Sequence, residues 1–137
     1  MVKHVVAARH EISAGDKKLV QLAGRDICIF NVDGAFYALA NRCPHEGGSL
    51  CDGQVSGVVR SNGPNDYRIE RKGEFIRCPW HGWEFDIKTG QSWCDPNSMR
   101  VRQFDVHVEH GQELVKGPFL AETFSVEVEN DYIVVEI

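Results

Sequence analysis

The chain has 137 residues, enough for one domain of ordinary size and too few for two independent hydrophobic cores. At 42% hydrophobic and 26% charged residues it sits near globular averages, which excludes a disordered or fibrous chain. A net charge of -5 excludes whole-surface attraction to nucleic acid or anionic lipid and favours basic docking partners.

In chain order, the N-terminal apolar stretch Val5 to Ala8 is cut by Arg9, His10 and Glu11, too soon for a signal-peptide core, so a cytoplasmic location is expected. Asp16-Lys17-Lys18 is too short and too near a glycine to make a helix. Leu19 to Leu22 reads as a strand, followed after Gly24-Arg25 by a second strand around Ile27, Cys28, Ile29 and Phe30. Asp33-Gly34 is a hairpin signal, because the second turn position needs the positive φ that glycine adopts freely, and Ala35 to Ala40 is the third strand. That run is the longest uninterrupted apolar one, six residues where a membrane-spanning helix takes about 20.

Residues 41–98 are rich in Gly, Pro, Cys, His and Trp and lack periodicity, the pattern of a loop-built functional insert. Within it, Tyr67 to Arg71, Lys72-Gly73 and Glu74 to Arg77 read as a β-hairpin turning at Lys72-Gly73, with a basic flank from Arg68 and Arg71. Beyond the insert, Phe104, Val106 and Val108 alternate with polar residues, as do Phe124, Val126 and Val128, so both stretches read as half-buried strands. Asn130-Asp131 then turns the chain into a closing strand, Tyr132 to Ile137. Residues 1–40 and 99–137 therefore form the base of an all-β antiparallel sandwich or small barrel, with 41–98 inserted, in a single domain.

Two pairs of donors stand out in the insert: Cys43-Pro44-His45 and Cys78-Pro79-Trp80-His81. Each puts a soft thiolate and a borderline imidazole on one tight loop, which suits zinc, iron or an iron–sulfur cluster and not magnesium or calcium. Pairing one Cys with one His in each loop departs from the Cys-Cys and His-His pairing of most zinc fingers. Pro44 and Pro79 stiffen the loops, and Gly47, Gly48 and Gly82 allow close backbone approach.

The two loops resemble those of the Rieske iron–sulfur family, C-x-H and C-x-x-H, which hold a [2Fe–2S] centre with two Cys on one iron and two His on the other. The likeness runs through Asn41 to Leu50 and Cys78 to Asp86, with Gly90 beyond, and includes the strand Asn31 to Leu39. It implies a Rieske-like antiparallel fold, one [2Fe–2S] cluster, and Cys43, His45, Cys78 and His81 as its ligands. Two histidines in place of two thiolates leave the oxidised centre electrically neutral, so adding an electron is easier than at a four-thiolate centre, and Rieske potentials lie at about -150 to +300 mV against about -400 mV for plant-type ferredoxins.

Within the family, the high-potential cytochrome bc-type branch has a further Cys in each loop and a Ser hydroxyl bonding a cluster sulfur. Trp80 and Trp83 occupy this region here, so the resemblance is to the low-potential branch of ring-hydroxylating oxygenases and their ferredoxins. An oxygenase subunit would need a second domain with a mononuclear iron, and the 47 residues after Gly90 leave no room for one. The implied function is a soluble one-electron carrier from a reductase to a terminal oxygenase, rather than a catalyst on its own. The competing readings are a Rieske-like accessory subunit of the small nitrite-reductase type and a zinc-stabilised binding module.

His4, His10, His107 and His110 are expected to bind no metal. Cys28 is expected to be a small buried hydrophobe, and Cys51 and Cys94 to remain thiols in a reducing compartment. His45 and Cys78 are separated by 32 residues, longer than the family's usual connection. The added length reads equally as a tolerated surface insertion or as a partner-docking element.

Overall fold

The computed structural model describes residues 3–44, 48–79, 83–92, 99–114 and 126–137, the side chains of 58–62 and 66–70 aside. Among these residues nine strands form: β1 (Lys3–Ala8), β2 (Lys17–Leu22), β3 (Arg25–Val32), β4 (Ala35–Ala40), β5 (Gln54–Gly63), β6 (Asp66–Arg77), β7 (Glu84–Asp86), β8 (Gln103–His110) and β9 (Asp131–Glu136). All the strand pairs are antiparallel. The fold is all-β, as the alternating apolar pattern requires.

The strands belong to two compact units. The first comprises residues 1–40 and 103–137 and the second residues 41–102. Residues 99–102 fall with the second unit because Gln91 bridges Arg100 and the Val101 N–H donates to the Gly90 carbonyl at 2.8 Å.

In the first unit the strand order is β1-β9-β8-β4-β3-β2. The turns joining β2 to β3 and β3 to β4 carry positive φ at Ala23, Gly24, Asp33 and Gly34, the geometry that tight hairpins need. Strand β9 is buried on both faces. Ile133 and Val135 pack with Val6, Ile12, Ile27, Ile29 and Phe36, while Tyr132 and Val134 pack on the other side with Val5, Ala8 and Leu114.

Two expectations differ from the structure here. Phe124 and Ser125 lie outside the described residues, but Val126 to Glu129, expected to continue their strand, are irregular and turning, and Val128 is 50% exposed. The backbone groups of this segment bond locally instead of in a ladder: the Glu127 N–H donates to the Tyr132 hydroxyl at 2.6 Å and the Glu127 carbonyl accepts the Asn130 N–H at 3.3 Å. The short helix Gly111–Leu114 that buries Leu114 has no apolar periodicity long enough to show in the sequence.

In the second unit the sheet order is β5-β6-β7; Phe75 and Ile76 of β6 and Phe85 of β7 are buried, as are Leu50, Ile87 and Val101. The hairpin turn lies at Pro64-Asn65 rather than at Lys72-Gly73. Proline presets the first turn position and Asn65, at φ 65°, takes the left-handed one. Lys72-Gly73 instead sits in a bulge of β6, where the register passes from Ser56 opposite Phe75 to Val58 opposite Glu70. Arg71 at φ 50° and Gly73 at φ 82° give that excursion its left-handed conformations.

Ile133 is fully buried. Ile133→Ala should therefore destabilise the protein by about 2–5 kcal/mol. Leu19, 47% exposed, gives the contrast: Leu19→Ala should change stability by no more than about 0.5 kcal/mol. Denaturant titration of both variants checks the pair, and equal losses would contradict the assigned core.

Candidate metal centre

The first donor loop follows β4. Cys43 is fully buried, and its N–H donates to the Gly48 carbonyl at 2.8 Å, closing the loop across five residues. Asn41 braces it from outside: its amide donates to the Ser49 hydroxyl at 2.8 Å, and its carbonyl oxygen accepts the Cys51 N–H at 2.7 Å. A 3₁₀ turn, Leu50–Asp52, then leads through Gly53 into β5.

The second donor loop follows β6 and has the same closure. Cys78 is 1% exposed, and its N–H donates to the Trp83 carbonyl at 2.7 Å, again across five residues. His45 and His81 fall within these two closed loops in sequence and lie outside the described residues.

The segments that follow the first loop and precede the second meet at Gly53. A β-carbon there would lie 2.0 Å from the carbonyl oxygen of Arg77, the residue immediately before Cys78. Only glycine permits this approach, since the obstructing atom is backbone and cannot swing aside. A cavity of about 240 Å³ opens beside the contact, lined by Asp52, Gly53, Gln54, Arg77, Cys78 and Pro79.

Beneath the second loop, Arg71 locks the β6 bulge. Its guanidinium donates to Asp86 Oδ2 at 2.7 Å and to Glu74 Oε1 at 3.1 Å, and it stacks 4.6 Å over the Phe75 ring. Lys88 Nζ adds a third contact, 3.2 Å from Glu74. Burial pushes the Glu74 carboxyl up, but the hydrogen bonds from Arg71 and Lys88 outweigh it and hold the group below its ordinary value.

Cys43 and Cys78 are free thiols, whereas Cys28 and Cys51 are disulfide-bonded. Cys28 is buried as expected but oxidised, and the expectation of a thiol at Cys51 is corrected; Cys94 lies outside the described residues. The buried, soft donors that remain fit a thiolate-ligated metal cluster. The other histidines have different settings. His107 Nε2 is 2.8 Å from Glu109, and His110 Nδ1 is 2.9 Å from Asp131. His4 lies in β1 opposite Val135, and His10 is exposed in a turn. The sequence reading gave Gly53 no role; it placed Asn41 in the first box and Arg71 in a basic flank, without the bracing contacts that each makes.

A predominantly antiparallel β protein with two thiol-bearing closed loops belongs to the class of small metal-cluster domains. The chain is a member of the Rieske [2Fe-2S] domain family, which it matches over residues 2–105. It is 29% identical over 108 residues to the ferredoxin component of the naphthalene 1,2-dioxygenase system of Pseudomonas aeruginosa, covering 79% of this chain and 88% of that protein. It is 33% identical over 92 residues to the 3-phenylpropionate/cinnamic acid dioxygenase ferredoxin subunit of Escherichia coli (strain K12), covering 67% and 73%. Among solved structures, the ferredoxin of carbazole 1,9a-dioxygenase from Nocardioides aromaticivorans IC177 shares the fold, with TM-score 0.64, 20% identity, and 98% and 97% of the two chains covered.

Two predictions follow from the geometry. Gly53→Ala should displace Arg77 and lower cluster content, read from iron analysis and the visible spectrum. Gly63→Ala, whose β-carbon would meet nothing within 4 Å, should leave both intact. Equal cluster loading of the two variants would contradict the role given to Gly53.

The second prediction concerns pH. A carboxyl whose folded pKa is depressed adds stability above its unfolded value, about 4.3 for Glu, and loses it as pH falls through the folded value. The β6 bulge should therefore loosen as the pH falls below the ordinary carboxyl range, seen as faster hydrogen exchange in the 66–77 segment. Glu74→Gln should flatten that acid dependence, and an unchanged profile would contradict the network.

Proposed function

We propose that this chain is a one-electron carrier whose [2Fe–2S] cluster is held by Cys43 and Cys78 on one iron and His45 and His81 on the other. The observation that carries the reading is the matched pair of buried free thiols, each heading a loop closed by its own N–H to the carbonyl five residues on. Such a cluster, when bound, takes up and releases single electrons. The chain supplies the thiolates, shields them from water, and fixes the loop backbones so that little rearrangement accompanies the charge change.

The electron passes from a reductase to a terminal oxygenase, as the naming of the relatives as dioxygenase ferredoxin components supports. Both partners bind transiently, the carrier works in the cytoplasm, and the two compact units act as one Rieske domain, 1–40 and 99–137 as the base and 41–98 as the cluster-bearing insert. None of the described helices is long and apolar enough to cross a membrane. The tryptophans of the second loop and the absence of a Ser hydroxyl at position 83 favour a low potential.

Anaerobically purified protein should contain about two irons and two labile sulfides per chain. One zinc with no sulfide would contradict the cluster. His45→Ala and His81→Ala should each destroy or alter the cluster spectrum while His107→Ala preserves it; loss in the His107 variant would show that the ligand set is wrong. Protein-film voltammetry should give a potential in the lower part of the Rieske range, and a value near +300 mV would contradict the low-potential assignment.

A further inference from the structure

Residues 58–70 of β5 and β6 pair as a two-stranded arm among the described residues, and past the bulge β6 gains β7 as a second neighbour. The second donor loop is the tip of this β6–β7 hairpin: Cys78 follows β6 and Trp83 precedes β7. Strand β7 has three residues, and its last register pair sets Asp86 opposite Phe75. At about 3.3 Å per residue that pair lies about 10 Å from the Cys78 end. Whatever fixes Asp86 against β6 therefore fixes the hairpin whose tip carries the thiol.

Arg71 makes that connection. It has φ 50°, a left-handed conformation that is unfavourable for a residue with a β-carbon and persists where the surroundings impose it. Its guanidinium reaches both strands, Glu74 Oε1 of β6 at 3.1 Å and Asp86 Oδ2 of β7 at 2.7 Å, and the Phe75 ring limits its swing. The Glu74 and Asp86 side chains are only 21% and 14% exposed, so each depends on a cation more than a surface acid does. Lys88 Nζ also contacts Glu74, and the second oxygen of Asp86 accepts the Lys88 N–H at 2.9 Å. Without Arg71 the two acids, one on each strand, would lose the cation that joins them, and their repulsion would push β7 away from β6.

We infer that Arg71 is a positioning residue for the second ligand loop: by joining Glu74 to Asp86 it holds β7 against β6 and so fixes Cys78 and Trp83 at the hairpin tip. This rests on the carrier reading above. The contacts of Arg71 are with Glu74, Asp86 and Phe75, so it acts on the loop through the two strands. A fixed hairpin presents the Cys78 thiolate in one geometry rather than a spread of them, which keeps rearrangement small when an electron arrives.

The test follows the holoprotein by two readouts. One is hydrogen exchange in the 78–87 segment, and the other is the line width of the reduced cluster's electron paramagnetic resonance signal, which broadens when ligand geometry is spread. Arg71→Gln should exchange about tenfold faster in 78–87 and give a broader signal. Lys72→Gln removes the same charge one residue on, from an exposed side chain with no hydrogen bond or ion pair among the described residues, and should match the wild type in both. Adding Asp86→Asn to Arg71→Gln removes the repulsion between the acids and keeps an acceptor for the Lys88 N–H, so the double variant should exchange more slowly than Arg71→Gln.

A wild-type line width or wild-type exchange in Arg71→Gln would overturn the inference, as would equal changes in Lys72→Gln or a double variant that exchanges faster still. Should Arg71→Gln yield no folded protein, Asp86→Asn alone decides: faster exchange with a broader signal upholds the role, and wild-type values overturn it. A wild type with no iron–sulfur signal would contradict the carrier reading, and the exchange readout, which needs no cluster, then still tests Arg71.

Discussion

The centre depends on the contact between Gly53 and the Arg77 carbonyl. Two thiolates on separate loops can serve one cluster only if the loops are held together by something stiffer than the metal site itself. Here the tail of the first loop touches the backbone immediately before the second thiol, and the first register pair of the hairpin, Gln54 with Arg77, sits just beyond it. Each loop is separately closed by the N–H of its own cysteine. The positions of the two thiol-bearing backbones are therefore fixed by main-chain contacts.

This arrangement also explains how a 32-residue connection between the boxes is tolerated. An antiparallel hairpin returns its chain to the starting point whatever its length, so added residues lengthen the arm and leave Gly53 and Cys78 where they are. The β6 bulge marks the division. On one side β7 pairs with β6 and Phe75 and Ile76 are buried, and on the other, among the described residues, β5 alone accompanies β6. Arg71 spans the joint, holding Glu74 within the bulge and Asp86 at the end of β7.

Much of this was legible in the sequence because period-two alternation and turn chemistry act locally. The strands around Ile29, Ala38 and Val106 and the Asp33-Gly34 turn needed no knowledge of distant contacts. The candidate ligand loops stand out in the sequence because thiolate and imidazole at that spacing are rare outside metal sites. The hairpin turn was misplaced because Lys72-Gly73 and Pro64-Asn65 both carry turn signals, and only cross-strand register distinguishes a bulge from a turn. Val126 to Glu129 alternate like a strand, yet the Tyr132 hydroxyl takes the Glu127 N–H. The oxidised state of Cys28 and Cys51 and the close approach at Gly53 depend on tertiary structure and leave no pattern in spacing.

The most direct test is pulsed electron paramagnetic resonance of the reduced protein labelled with nitrogen-15 histidine. The account predicts couplings to two histidine nitrogens on one iron, with one coupling missing in His45→Cys and the other in His81→Cys when a cluster is retained. A reduced cluster showing no histidine nitrogen coupling, or couplings unaffected by replacement of either residue, would contradict it.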